Sequence, residues 1–122
     1  EVLHGRTLPL TGEIREDARK HVVCTGNGQQ FGLYSTRMIR DKRYKYVWNL
    51  TDVDEFYDLE KDPGEKINRI AEPEHQERIS QLRKKLCKQL EKHSDPLIRS
   101  DWTRCQLLEG KQQLGGWFCK TL

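Results

Sequence analysis

The chain has 122 residues, 34% hydrophobic and 34% charged, with 22 basic residues against 19 acidic ones for a net charge of +3. That length holds one core burying about two-thirds of the unfolded surface, and the thin apolar supply limits it to a single sheet layer backed by a helix. The interspersed charges do not form the basic block of a nucleic-acid arm, and no apolar run reaches the about 20 residues that a membrane span needs.

Residues 21–25 carry Val22, Val23 and Cys24 as a short apolar run, which reads as a strand ended by the turn Gly26-Asn27-Gly28. Residues 33–40 have apolar side chains on both parities, as expected of a central strand. Asp41-Lys42 supplies a short turn, after which Tyr44, Tyr46, Trp48 and Leu50 alternate with Lys45, Val47 and Asn49. This pairing is the clearest hairpin signal in the chain. After the polar stretch 51–54, residues 55–59 form a fourth short strand with Phe56 and Tyr57 on opposite faces, broken by Asp62-Pro63-Gly64.

A brief helical turn over 65–70 leads to Glu72-Pro73-Glu74, which opens a long helix: proline at a first-turn position forfeits no hydrogen bond, and acids suit the positive end of the dipole. Ile79, Leu82, Leu86 and Leu90 recur at spacings of three and four as one apolar stripe. Lys92 and His93 suit its other end, and Ser94-Asp95-Pro96 stops it. Beyond, Leu97, Ile98, Trp102, Leu107 and Leu108 either build a second short helix or lie across the sheet, and Trp117-Phe118 offers one apolar anchor. The fold class is α+β: a four-stranded, mainly antiparallel sheet packed on one face by the helix 73–93, then an irregular tail.

The four cysteines, Cys24, Cys87, Cys105 and Cys119, lack the close pairing of a zinc site. Cys24 and Cys87 read as free, mostly buried thiols, and Cys105 with Cys119 as the pair to test for a bridge. The glycine-rich, amide-bearing stretch 26–34 can offer donors and acceptors to a hydroxyl-rich substrate, although a turn that needs glycine is the plainer explanation. Arg37, Arg40, Lys42, Arg43 and Lys45, interleaved with Tyr44, Tyr46 and Trp48, are suited to an anionic polymer; here the plainer explanation is a solvated hairpin face. Asn49-Leu50-Thr51 matches a glycosylation sequon, a weak signal within a strand. His4, His21, His75 and His93 are scattered, at no ligand spacing.

Two stretches carry more than a fold. Arg43-Tyr44-Lys45-Tyr46-Val47-Trp48-Asn49, followed by Glu55-Phe56-Tyr57-Asp58-Leu59-Glu60-Lys61-Asp62-Pro63-Gly64-Glu65, resembles the tail of a sulfatase: a strand reading R-x-K-Y, an E-L-Y-D-L-x-x-D-P-x-E segment and a final helix. The resemblance runs from about Gly5 to Leu97 and is most specific from Arg37-Met38-Ile39-Arg40 through Glu65. Gly5-Arg6-Thr7-Leu8-Pro9-Leu10 is similar to the G-x-S-L-x-P-L element that ends the large domain of that family. The resemblance therefore implies a linker over 1–20, a C-terminal subdomain over 21–97 and a tail over 98–122.

No C/S-x-P/A-x-R signature occurs in the sequence, so the residue that sulfatases convert to formylglycine is not in this polypeptide. The resemblance implies calcium and formylglycine on a separate catalytic domain, and no catalytic residue, metal ligand or cofactor in this chain. Its expected role is structural support and part of a substrate pocket, with Gln29, Gln30, Tyr34 and Arg37 as candidate substrate-binding residues. The expected partners are a sulfatase catalytic domain and a sulfated glycan or aryl sulfate, with no nucleic acid and no membrane. The uncovered sheet face is expected to dock on that domain, or to self-associate without it. By the same resemblance the compartment is periplasmic, secreted or lysosomal. The competing reading, from another class, is an independent module binding anionic glycans or nucleic acid through the basic aromatic hairpin.

Overall fold

Period-two burial builds the sheet. The structure, a computed structural model, describes residues 20–28 and 34–110. Four strands, β1 (Val22–Gly26), β2 (Thr36–Arg40), β3 (Tyr44–Asn49) and β4 (Glu55–Asp58), pair antiparallel in chain order. The register sets Ile39 between Val23 and Tyr46, and Tyr46 against Phe56, so these four form one row across the sheet. Arg37 and Trp48 form the next row on the same face. The opposite parity, with Cys24, Met38, Val47 and Glu55 in one row, forms the second face.

A short turn at Pro73–His75 leads into α1 (Gln76–Lys92), which buries Ile79, Leu82, Leu86, Cys87 and Leu90. With Ile39, Tyr46, Trp48, Phe56, Ile98 and Leu107 these residues form a single core. Each fully buried aliphatic side chain contributes about 1.5–3 kcal/mol relative to an exposed one. The helix ends where expected. Ser94 turns to φ 53°, and the amides of Ser94 and Asp95 donate back to the Glu91 and Leu90 carbonyls, which would otherwise be left without a partner. The segment expected as a tail then holds a helical turn at Pro96–Arg99 and a second helix, α2 (Asp101–Glu109), whose Leu107 reaches the core.

The fold is the α+β arrangement that the pattern implied. One detail differs: Cys24 is exposed rather than mostly buried, because it lies on the parity of the sheet that faces away from α1. Cys87 is buried and free, and burial, followed by the nearby Glu91 carboxylate, pushes its thiol pKa up, as suits a packing residue rather than a nucleophile. Cys105 is disulfide-bonded; its expected partner Cys119 lies outside the described residues. Among the described residues no helix is long and apolar enough to cross a membrane.

Two carboxylates brace the β2–β3 hairpin. Asp58, fully buried, accepts from the Arg43 guanidinium at 2.9 Å and from the amides of Glu60 and Lys61. The Arg43 hydrogen bond is the main cause holding its pKa below the ordinary 3.8. For Asp41, burial pushes upward, but the amides of Tyr44 and Arg43 together with the Arg78 guanidinium outweigh it and hold this carboxyl below 3.8 as well. Depressed folded values contribute stability that is complete above 3.8 and is lost as pH falls through the lower folded values. Urea midpoints measured from about pH 5 down to about pH 2 should therefore be level at first and then fall. A level series throughout would show that the fold does not hold these two groups ionised.

Candidate functional site

Gly26 and Gly28 stand at the neck of the loop that leaves β1. A Cβ on Gly28 would lie 2.6 Å from the Tyr34 carbonyl oxygen, so the two sides of the neck approach more closely than a side chain permits. Tyr34 stands at its far side and is exposed. Gln29 and Gln30 lie outside the described residues. Arg37, on β2, points to the core side of the sheet and is 1% exposed. Its Nε and Nη2 donate to the two oxygens of Asp95 at 2.7 and 3.2 Å, and its Nη1 to the carbonyls of Thr36 and Gly26 at 2.8 and 3.1 Å. Arg37 thus joins the end of β1 to the residue just beyond α1. Of the four candidates, Tyr34 is at the surface and Arg37 lies beneath it.

The basic hairpin divides in the same way. Arg43 pairs with Asp58 and Glu60, and Lys45 with Glu65. Tyr46 and Trp48 are buried, and Tyr44 stacks on Phe56 with ring centroids 5.4 Å apart. Lys45 therefore lies on the face opposite Tyr46 and Trp48, whereas the Arg43 guanidinium sits 5.0 Å from the Tyr44 ring centroid and Arg37 shares the face of Trp48. Asn49 of the sequon donates its amide to the Val53 carbonyl and the Glu55 carboxylate, contacts that a glycan on that nitrogen would disrupt.

A buried polar network that no sequence period marks links sheet and helix. The Tyr46 hydroxyl donates to Asp54 at 2.7 Å, and Arg83 on α1 donates its Nε to that hydroxyl at 3.1 Å. Burial, then the Asp54 charge, pushes the Tyr46 pKa far upward, so the phenol keeps its proton and remains a donor. The position of Asp54 in a polar connection gave no sign that it is buried. Its neighbour Glu55 opens the Glu55-Phe56-Tyr57-Asp58 strand, yet Asp54 carries the contact.

Among the described residues, Glu72, Glu74 and His75 come close enough together to hold an ion. Calcium takes six to eight oxygen ligands. This group offers two carboxylates and a ring nitrogen, and Glu72 is already bound by Arg69 at 2.9 Å, so it does not fit calcium. The His75 ring packs 5.2 Å from Phe56, a core contact that accounts for its position.

No family model matches the chain. It is 31% identical over 90 residues to an uncharacterized protein of Haemophilus influenzae, covering 74% of this chain and 46% of that one. An arylsulfatase of Clostridium perfringens is 44% identical over 62 residues, 50% of this chain and 13% of the arylsulfatase. A Delta 4,5-hexuronate-2-O-sulfatase of Bacteroides thetaiotaomicron is 32% identical over 76 residues, 61% of this chain and 16% of the enzyme. In three dimensions, a 2-O GAG sulfatase superposes with a TM-score of 0.63 at 28% identity, over 74% of this chain and 20% of its own. A protein solved with its substrate D-glucosamine-2-N,6-O-disulfate shares the fold, with a TM-score of 0.58 at 21% identity, over 67% of this chain and 17% of its own. The chain spans about half the length of the first of these relatives and a fifth or less of the others.

Proposed function

We propose, from its homology to sulfatases over part of their length, that this chain serves as the C-terminal subdomain of a sulfatase-like sulfuric ester hydrolase, giving structural support and one wall of a substrate pocket. The observation that carries the reading is the asymmetry of the match: 74% of this chain aligns with 20% of a GAG sulfatase. The subdomain is not catalytic by itself. Calcium and formylglycine belong to the catalytic domain, where they would supply Lewis-acid stabilisation and the nucleophile. This chain's part is positional. Tyr34, with Gln29 and Gln30, is assigned to the binding of the substrate, a sulfated glycan or aryl sulfate, and Arg37 holds the end of β1 through the Gly26 carbonyl.

The sheet face turned away from α1 supports docking. Val22 is 49% exposed, and Met38 and Val47 are half-buried beside exposed Cys24, an apolar strip suited to a partner surface. Mixing the chain with a sulfatase catalytic domain cut before its own C-terminal sheet should give a complex and restore sulfate-ester hydrolysis. Met38→Asp with Val47→Asp should weaken that complex at least about tenfold, since docking would bury unpaired charge. No complex and no recovered hydrolysis would overturn the proposal.

A further inference from the structure

The antiparallel register that sets Val22 opposite Arg40 brings residues 20–22 against the β2–β3 turn. Between them lies a cleft of about 190 Å³ lined by Lys20, His21, Val22, Arg40, Asp41 and Lys42. Its one carboxylate is already committed: Asp41 accepts from the amides of Arg43 and Tyr44 and from the Arg78 guanidinium. Lys20, Arg40 and Lys42 are exposed and form no ion pair among the described residues. Arg43, Lys45, Arg69 and Arg78 nearby in the fold each have a carboxylate partner. Three unneutralised cations from two separate segments thus converge on one concave site.

We propose that this cleft holds a sulfate or carboxylate group of an anionic glycan. Three exposed cations around one carboxylate that is already hydrogen-bonded leave a net positive, open cleft, which concentrates an anion more than isolated lysines do. The choice of a sulfated glycan rests on the sulfatase reading above. The cleft also argues against single-stranded nucleic acid, which such grooves bind by stacking bases on exposed aromatic rings. Among the described residues no phenylalanine, tyrosine or tryptophan lines this one, and its one ring is the half-buried His21 imidazole.

The test uses the full chain and a fully sulfated heparin hexasaccharide in titration calorimetry. The triple substitution Lys20→Gln, Arg40→Gln, Lys42→Gln should weaken binding about tenfold, the sum expected of three exposed ionic contacts, and should flatten its salt dependence. Lys84→Gln, Lys85→Gln, Lys88→Gln removes as much charge from the exposed side of α1 and should change binding less than about twofold. Lys42→Gln alone, at an exposed turn position, serves if the triple variant fails to fold. Equal weakening by the two triple variants, no measurable hexasaccharide binding by the unaltered chain, or equally tight binding of an oligothymidylate would overturn the proposal. A docking variant that adds no charge beside Arg40, Met38→Asn with Val47→Asn, should keep the hexasaccharide affinity, so failure of docking and failure of the cleft are read separately.

Discussion

Replacing Arg37 by alanine should cost about 3–5 kcal/mol of stability, the largest effect expected of any single change on the sheet. Asp95, 9% exposed, would be left with the Leu97 amide as a remaining partner. Two strand-end carbonyls would lose their donor as well. Much of the penalty comes from the carboxylate left behind rather than from the net value of the pair. The double substitution Arg37→Met, Asp95→Leu should therefore recover part of it, the rest being the donor to the two carbonyls and the Asp95 cap on the Leu97 amide. Urea unfolding followed by far-UV circular dichroism measures both variants. If the alanine variant keeps normal stability and instead loses affinity for a sulfated substrate, Arg37 acts directly on the ligand rather than by holding the end of β1.

Phe56→Ala should cost nearly as much, about 3–5 kcal/mol, as for a fully buried phenylalanine. Phe56 has no exposed surface. Its ring lies between Tyr44 and His75 and joins the last strand to the turn that opens α1. The backbone there is also tied outward, with the Phe56 amide donating to Asn68 at 3.0 Å and the Arg69 amide donating to the Phe56 carbonyl at 2.8 Å. Loss of the ring thus opens a cavity at a point where strand, loop and helix meet. Val53→Ala, at an exposed neighbouring position, should stay within about 0.5 kcal/mol. Comparable losses in both variants would place the core elsewhere than at this row.

The strands and the long helix were legible because their signals are periodic and local. Tyr46 with Trp48 and the Ile79, Leu82, Leu86, Leu90 stripe mark buried faces by spacing, and those faces are buried. The electrostatics were not legible, because charge pairing is set by tertiary contact. Arg37 meets a partner 58 residues away and Arg43 one 15 residues away, so a run that reads as one basic patch divides into anchored and unpaired cations. The same limit concealed the cleft. Lys20 and His21 are far from Arg40 and Lys42 in sequence and adjacent to them only through strand register. Among the predicted pocket residues, Tyr34 is exposed, whereas the burial of Arg37 follows from a parity that the sequence already contained.

Arg37 also has a mechanical meaning. A single guanidinium grips both the last carbonyl of β1 and the carboxylate that follows α1. The end of β1 and the far end of the helix therefore share a fulcrum, and a force applied to either would load the other through the same pin.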